Sequence, residues 1–509
     1  MHNCLLVQEL LSDIFRHIFC NPYSGYRTEA DRSNLHHDKI ALGTLAGLAR
    51  TCKTFHEPAL NRLWRALPSL IPLIQCLPPD AWAISESTLS VTKSIETSDF
   101  KRILFYSPRV RVIGQEYSTT LDYWDTETLR MNTQVLPVIW SRKPNPGPLL
   151  PNLLDFCLSS SDFVDAAIYP RLLVGLKLHS AAPQTPWDNI TAVLNEVVPQ
   201  LSSFIVFAED LDEGFKILEG SQKALKLFLP FHTLEKLGIS RIPVTPQALT
   251  LVTELSNLRI LEIAIADRAM QIFTLSQASR GKGFFALSNL RVFSKSLTAC
   301  QMLLEQVKSK SLYGLEVFRR GHHQWDLKSF FRFLCDRDLG QRLVLLGVLE
   351  EVFHLCSDTF EPLASFGELV DVQIEPCSST GLTDASLLKM AKSWPKLYKL
   401  SLYEATMDED PKTTFFGFQS LIAYCPQPTY LTLRINAKTI PSFSQCGGDY
   451  PVGETLQNVH MCTSPIASAE AVSAHLTLLL PNTLSIRCLN LGRFSIWTRV
   501  QEPITDDGL

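Results

Sequence analysis

Apolar residues near the amino terminus recur at three- and four-residue spacing, which is typical of one face of a helix. The first group predicts an amphipathic helix and consists of Leu10, Leu11, Ile14, Phe15, Ile18 and Phe19. The second group predicts another helix and consists of Leu42, Leu45, Ala46, Leu48, Ala49 and Cys52. A third helix is predicted to begin near positions 55–57, because Pro58 is tolerated in a first helical turn. Thr54 and Glu57 have the spacing of a capping box at the same point.

A different pattern dominates the chain after residue 150. The template Leu-x-x-Leu-x-Leu, with other large apolar residues allowed, begins clearly at positions 153, 173, 234, 258 and 397. Looser copies begin at 201, 343, 369, 456 and 486, and partial copies at 290, 315 and 428. The mean spacing is about 28 residues, within the range of about 20–29 for leucine-rich repeats. One such strand and one helix cannot bury their leucines alone, so stacked copies share a continuous core.

Amphipathic helices are predicted between many of these copies. The strongest runs from Thr383 to Pro395, where Leu387, Leu388, Ala391 and Trp394 share one face. Thr245 and Pro246 predict another helix, with an N-cap followed by proline in the first turn. Further helices are predicted at 188–198, 298–307, 326–335, 414–424 and 467–480.

Alternation of strands and helices is also typical of a doubly wound α/β sheet. A nucleotide-binding sheet of that kind requires a glycine-rich turn after an early strand. Gly281-Lys282-Gly283 is the candidate, and it lacks the upstream glycine of a phosphate loop. We therefore expect an α/β leucine-rich-repeat solenoid, with a curved parallel sheet plus helices, preceded by a small all-α three-helix module.

Domain boundaries follow from these patterns. We expect a three-helix domain at 1–66, a connector and solenoid start at 67–150, leucine-rich repeats at 151–500 and a C-terminal tail at 501–509. The prolines between Arg142 and Pro151 prevent a continuous helix or strand there, which predicts a surface loop.

The first 66 residues resemble an F-box. The shared elements are a leucine before Glu9-Leu10-Leu11, the run Cys52-Lys53-x-Phe55, and the closing pair Leu63-Trp64. Val7 and Gln8 stand where the family usually has proline, and a polar insertion, Asn21–Lys39, separates the first two helices. The resemblance implies docking on the Skp adaptor of a cullin-based ubiquitin ligase. The Skp-binding residues would be Leu6, Glu9, Leu10, Ile14, Leu48, Cys52, Leu63 and Trp64.

Composition limits the partners and the compartment. With 46% hydrophobic and 19% charged residues the chain is globular, and its net charge of −4 gives no support for nucleic acid or an anionic membrane as partner. The 13 cysteines are odd in number and form no Cys-x-x-Cys, which predicts reduced thiols in the cytoplasm or nucleus. We expect no signal peptide and no membrane span, because Glu9 and Asp13 interrupt the first apolar run and no stretch of 18 apolar residues occurs.

The chain offers little catalytic chemistry. His36-His37-Asp38 and His322-His323 lack further ligands at metal-binding spacing, and Asp408-Glu409-Asp410 is typical of a solvated loop. No hydrolase or zinc motif occurs. We expect no catalytic residue, no metal and no cofactor.

The repeats instead offer a recognition surface. Residues that alternate with the inward leucines face the concave side of such a sheet, and here they include His179, Gln373, Tyr403 and Asn458. A substrate-binding role is predicted for Lys177, Lys236, Glu262, Asp371, Lys399, Tyr430, Arg434 and His460, because Tyr, Arg and mixed charge suit protein interfaces. The resemblance implies a non-catalytic substrate-recognition subunit of a ubiquitin ligase, joined to cullin through Skp. The alternatives are a leucine-rich-repeat scaffold whose first helices only cap the solenoid, and an enzyme on a wound sheet.

Overall fold

The computed structural model describes residues 7–18, 34–113, 130–132, 134–144, 148–159, 175–179, 201–207, 233–277, 283–319, 325–379, 381–404, 410–441, 452–483 and 485–487. The chain divides into two compact units, Met1–Ile242 and Pro243–Leu509. Leu6, His322, His323 and the helix predicted at 188–198 lie outside the described residues.

Three helices form the start of the first unit: α1 (Gln8–Ile18), α2 (Asn34–Thr51) and α3 (Lys53–Leu63). The predicted start of α3 was wrong, because Cys52 alone separates α2 from α3. Cys52 is the N-cap, with extended φ and ψ of −154° and 164° and no side-chain capping bond, so Pro58 lies inside the helix rather than in its first turn. The capping box at Thr54 and Glu57 is therefore not formed.

The rest of the first unit contains short helices and two sheets. The helices are α4 (Ile71–Ile74), α5 (Lys101–Tyr106) and α6 (Val135–Arg142), with 3-10 helices at Thr97–Phe100 and Ser107–Arg109. The strands are β1 (Ala66–Leu67), β2 (Trp82–Ser85), β3 (Thr88–Val91), β4 (Val112–Ile113), β5 (Arg130–Met131), β6 (Asp155–Ser159), β7 (Gly175–His179), β8 (Ser203–Phe207) and β9 (Lys236–Pro243). β2, β3 and β5 form a small separate sheet, and the others form a parallel sheet in chain order.

The second unit alternates strands with helices. Its strands are β10 (Ile260–Ile265), β11 (Asn289–Ser294), β12 (Gly314–Arg319), β13 (Leu345–His354), β14 (Asp371–Ser379), β15 (Lys399–Glu404), β16 (Tyr430–Leu433), β17 (Asn458–His460) and β18 (Ser485–Arg487). Its helices are α7 (Pro246–Val252), α8 (Asp267–Gln277), α9 (Leu297–Glu305), α10 (Leu327–Asp336), α11 (Asp384–Ser393), α12 (Phe415–Tyr424) and α13 (Ala469–Leu479). Two 3-10 helices, Ser357–Thr359 and Glu361–Ser365, stand between β13 and β14.

One ladder of aliphatic residues crosses the whole sheet of the second unit. Register pairs Leu261, Leu290, Leu315, Leu346, Val372, Leu400, Leu431, Val459 and Ile486 across β10–β18. All are buried. The strands follow chain order without the reversal that a doubly wound sheet requires. The fold is a leucine-rich-repeat solenoid, as the periodicity predicts.

Helix caps within the repeats follow the sequence signals. The hydroxyl of Thr245 accepts a hydrogen bond from the backbone N–H of Ala248, with Pro246 in the first turn of α7. The hydroxyl of Thr383 accepts in the same way from Ser386 and begins α11. The predicted cap at Thr245 is confirmed, and the helix predicted from Thr383 begins there.

Asp384 in α11 also caps the next helix. Its Oδ1 accepts from the backbone N–H groups of Thr414 and Gly417 at 2.7 and 3.0 Å, and its Oδ2 accepts from the Thr414 hydroxyl at 2.7 Å. A Cβ at Gly417 would lie 2.6 Å from Asp384 Oδ1, so the third residue of α12 must be glycine for this approach. The start of each helix of this pair is therefore tied to the other.

Candidate docking face and recognition surface

The inner face of α1 builds the core of the amino-terminal helices. Leu11 and Phe15 are buried together with Leu45, Ala49, Ala59 and Leu60. The rings of Phe15 and Phe55 meet edge to face, with centroids 5.7 Å apart. This packing buries one edge of the apolar stripe that runs along α1.

The apolar stripe of α1 continues beyond this core to exposed residues. Val7, Leu10 and Ile14 are 42%, 46% and 43% exposed, and their spacing of three and four residues places them on one stripe. We call these three residues the docking face. Leu10 and Ile14 belong to the predicted Skp-binding set, whereas Val7, which stands where the family usually has proline, was not included in it. Glu9, also predicted, is exposed in the first turn.

The other predicted Skp-binding residues lie deeper. Leu48, Leu63 and Trp64 are partly buried and pack against the core of the three helices. Cys52 is partly buried at the junction of α2 and α3. The structure thus brings α1, α2 and α3 positions of the set into one module, while the role of each residue in binding stays a prediction.

Helix α5 packs against the end of α3. Tyr106 lies flat on Trp64, and it also contacts the core of the three helices. Arg109 Nη2 lies 2.6 Å from Glu57 Oε2 of α3. These contacts hold the amino-terminal helices to the segment that precedes β4.

The second candidate surface consists of the residues that alternate with the aliphatic ladder of the second unit, which we call the interleaved face. In register on β10, β11 and β12 it carries Glu262, Arg291 and Glu316. All three are buried. Arg291 Nη1 lies 3.6 Å from Glu262 Oε2, and its Nε contacts Glu316. Predicted substrate contact Glu262 is therefore enclosed in a buried charge cluster.

Burial dominates the electrostatics of this cluster. It raises the pKa of the Glu316 carboxyl; the neighbouring Arg291 lowers that pKa, and Glu262 and Asp371 add to the rise. Beside the cluster, Phe293 and Phe318 stack with centroids 4.4 Å apart and are also buried. Both sides of β11 and β12 are buried throughout, so this part of the interleaved face offers little area to a partner.

The interleaved face of β14–β16 is more open. Asp371, Lys399 and Tyr430 are in register on adjacent strands, and each is partly exposed. Gln373 Nε2 donates to both oxygens of Asp371, at 3.0 and 3.1 Å. Burial raises the pKa of Asp371, while Lys399 and the Gln373 hydrogen bond lower it. Three predicted substrate contacts thus lie side by side.

Two more predicted residues lie on neighbouring strands. His460 on β17 is partly exposed and stacks on Tyr403 of β15, with centroids 5.8 Å apart. Arg434 follows β16 and is buried, where its Nη1 lies 3.4 Å from Glu404 Oε2. His460 can reach a partner, whereas Arg434 acts first as the counter-ion of Glu404.

The first unit carries the remaining two predicted residues. Lys177 pairs in register with Cys157 and Ile205. Lys236 pairs with Ser203 and is partly exposed. Both occupy strands of the parallel sheet, as predicted.

The described residues contain no group of three or more His, Cys, Asp or Glu that could hold a metal ion. Within the same residues no helix is long and apolar enough to cross a membrane. Of the predicted acidic loop, Asp410 is described and pairs with Lys438 at 2.6 Å.

No family model and no curated protein matches this sequence. Similar solved structures include the Rad7 and Elc1 complex of yeast, 16% identical, covering 94% of this chain and 92% of that one, with a TM-score of 0.40. An internalin of Listeria monocytogenes is 13% identical over 60% of this chain and 80% of its own, with a TM-score of 0.32. The leucine-rich repeat-containing protein LegL7 of Legionella pneumophila is 11% identical over 70% and 98%, with a TM-score of 0.33. At these scores the fold assignment rests on the strand order and register.

Proposed function

We propose that this chain is the substrate-recognition subunit of a ubiquitin ligase of the Skp–cullin–F-box type. The docking face of α1 binds a Skp adaptor, the adaptor joins the chain to cullin, and the repeats hold a protein substrate. The chain itself supplies no catalytic residue and works in the cytoplasm or nucleus. Its effect is to raise the concentration of the substrate near the transfer machinery.

The observation that carries this proposal is the exposed edge of the apolar stripe of α1. A helix that serves only a local core buries its apolar residues, as Leu11 and Phe15 are buried here. Val7, Leu10 and Ile14 instead leave three large apolar side chains exposed to water along the neighbouring edge of the same stripe. Exposed apolar clusters on soluble proteins are typical of interaction sites. The F-box-like elements at Cys52 and Trp64 belong to the same module and favour an adaptor as the partner.

Substrate recognition is proposed for the interleaved face of β14–β17. There Asp371, Lys399, Tyr430 and His460 are partly exposed and combine charge with aromatic rings. Such residues contribute strongly to protein interfaces. The buried cluster of Glu262, Arg291 and Glu316 supports the sheet beside this surface.

A second candidate function has its own support. A leucine-rich-repeat scaffold would use the amino-terminal helices only to cap the repeats. The Trp64–Tyr106 stack and the Glu57–Arg109 ion pair are contacts of the kind a cap requires. Capping, however, gives no use to the exposed apolar residues of the docking face.

Co-purification of the full-length chain with a purified Skp adaptor tests the two candidates. We expect a stable complex, and we expect Leu10→Asp combined with Ile14→Asp to abolish it. The matched control is Leu275→Asp combined with Leu478→Asp, which changes two exposed leucines on α8 and α13 of the second unit. No complex with the unaltered chain, or a complex that survives the α1 substitutions in a folded protein, would support the scaffold instead.

A second experiment addresses the substrate surface. Proteins captured by the full chain are compared with those captured by Tyr430→Ala, a strand residue of the interleaved face. Tyr424→Ala is the control, because Tyr424 is an exposed tyrosine on α12 just before β16. We expect Tyr430→Ala alone to lose specific proteins, and equal capture by both variants would remove the interleaved face of β16 from the proposal.

A further inference from the structure

Phe105 is an exposed aromatic residue beside the amino-terminal helices. It is 45% exposed at the end of α5, although the next residue, Tyr106, is packed against the core of those helices. The rings of Phe105 and Tyr106 meet edge to face with centroids 5.0 Å apart, and Tyr106 in turn lies flat on Trp64. Phe105 is therefore two ring contacts away from the closing tryptophan of the F-box-like segment.

The position of Phe105 is fixed by its neighbours. The guanidinium of Arg109 lies over its ring, 4.4 Å from the centroid, and also donates to its backbone carbonyl. The same guanidinium pairs with Glu57 of α3 at 2.6 Å, and the Arg109 side chain is only 12% exposed. An aromatic ring held in this way loses little conformational entropy when a partner covers it.

Two exposed basic residues precede the ring on the same helix. Lys101 and Arg102 are exposed one turn earlier on α5, at the four- and three-residue spacings that share a face with Phe105. A partner surface that fits this arrangement is an apolar recess bordered by carboxylates.

We propose that Phe105, with Lys101 and Arg102, is a second contact element for the adaptor that binds the docking face. This inference rests on the proposed function. The partner is the adaptor rather than the substrate, because α5 is packed onto α3 through Tyr106 and Trp64, and Trp64 belongs to the set that the F-box resemblance assigns to the adaptor. The interface then extends past residue 66 onto a helix outside the F-box-like segment.

Affinity measurements on the full-length chain with purified Skp adaptor test this. Phe105→Ala is expected to weaken binding about tenfold, the effect of truncating an interface aromatic. Ile84→Ala is the control, because Ile84 is 46% exposed on β2 of the same unit. Lys101→Glu combined with Arg102→Glu is expected to lower the association rate and reduce its dependence on salt.

The outcomes separate this inference from the proposed function. Loss of binding in Leu10→Asp together with weakened binding in Phe105→Ala supports both. Loss in Leu10→Asp with unchanged affinity in Phe105→Ala overturns the α5 contact and leaves the proposed function standing. No binding by the unaltered chain overturns both. Circular dichroism of each variant confirms that the fold is retained.

Discussion

The indole of Trp64 lies flat against the phenol ring of Tyr106, with centroids 4.2 Å apart and planes 15° apart. Trp64 follows the last residue of α3, and Tyr106 is the last residue of α5. The core of the three amino-terminal helices therefore includes a residue well beyond position 66. Experiments on those helices should use the full chain, because truncation after residue 66 removes Tyr106 from this stack.

Tyr106→Ala is predicted to destabilise the amino-terminal helices by about 2 kcal/mol, since it removes a stacked ring from a partly buried site. Hydrogen exchange of the α1–α3 backbone in the full chain measures the effect locally. Ile84→Ala is the control and should leave exchange of α1–α3 nearly unchanged, because Ile84 is 46% exposed on β2 and takes no part in the stack. Equal protection in both variants would mean that the stack adds no stability.

Leu10 and Leu11 are adjacent leucines with opposite surroundings, 46% and 1% exposed. Leu11→Ala is predicted to cost about 2–5 kcal/mol through lost burial and a cavity, whereas Leu10→Ala should cost about 0.5 kcal/mol or less. Adaptor binding should respond in the reverse order where the protein remains folded. Local hydrogen exchange measures the stability of the two variants, and affinity measurements compare their binding to the adaptor. Similar losses of stability in both variants would contradict the assignment of Leu11 to the core and Leu10 to the surface.

Glu316 predicts a pH dependence of the second unit. Burial raises its pKa above the ordinary value of 4.5. As pH rises past about 4.5, the unfolded chain loses this proton while the folded chain keeps it, so the contribution of Glu316 to stability falls until pH passes the folded-state pKa.

Glu316→Gln removes this titration. The free energy of unfolding of the unaltered chain should therefore fall relative to that of the variant as pH rises above about 4.5. Urea titrations followed at β11 and β12 across this pH range provide the measurement. Parallel pH profiles for the two proteins would show that folding does not raise the pKa of the Glu316 carboxyl.

The contact between Asp384 and Gly417 predicts a coupled pair of substitutions. Gly417→Ala would place a Cβ 2.6 Å from Asp384 Oδ1 and displace the carboxylate from the start of α12. We expect a loss of about 1–3 kcal/mol, the cost of overpacking. Asp384→Ala should also destabilise, and the double variant should lose less than the sum of the two. Additive losses in a double-mutant cycle would argue against the capping role.

The repeats could be predicted from the sequence, because the alternation of apolar and other residues along a strand identifies a ladder position such as Leu261 or Leu400. The caps at Thr245 and Thr383 were also predictable, since hydroxyl residues and proline act within a single turn. In both cases the information is local.

Other features depend on contacts between residues that are far apart in the sequence. Alternation identifies Glu262 and Arg434 as members of the interleaved face, yet it contains nothing about the counter-ions that enclose them. The start of α3 was misplaced because the tight α2–α3 junction at Cys52 overrides the preference of Pro58 for a first turn. The comparison with the family pattern did not select Val7, because it treats this residue only as a departure from the usual proline. In the structure the exposed side chain of Val7 continues the stripe of Leu10 and Ile14.

The cap that Asp384 provides for α12 bears on how such an array can change in evolution. A repeat inserted between α11 and α12 would separate the carboxylate from the two backbone N–H groups that it binds. To preserve the junction, the insertion would need its own acidic residue in a first turn and its own glycine at the third position of a helix. Duplication at this point therefore has to copy the aspartate and the glycine together.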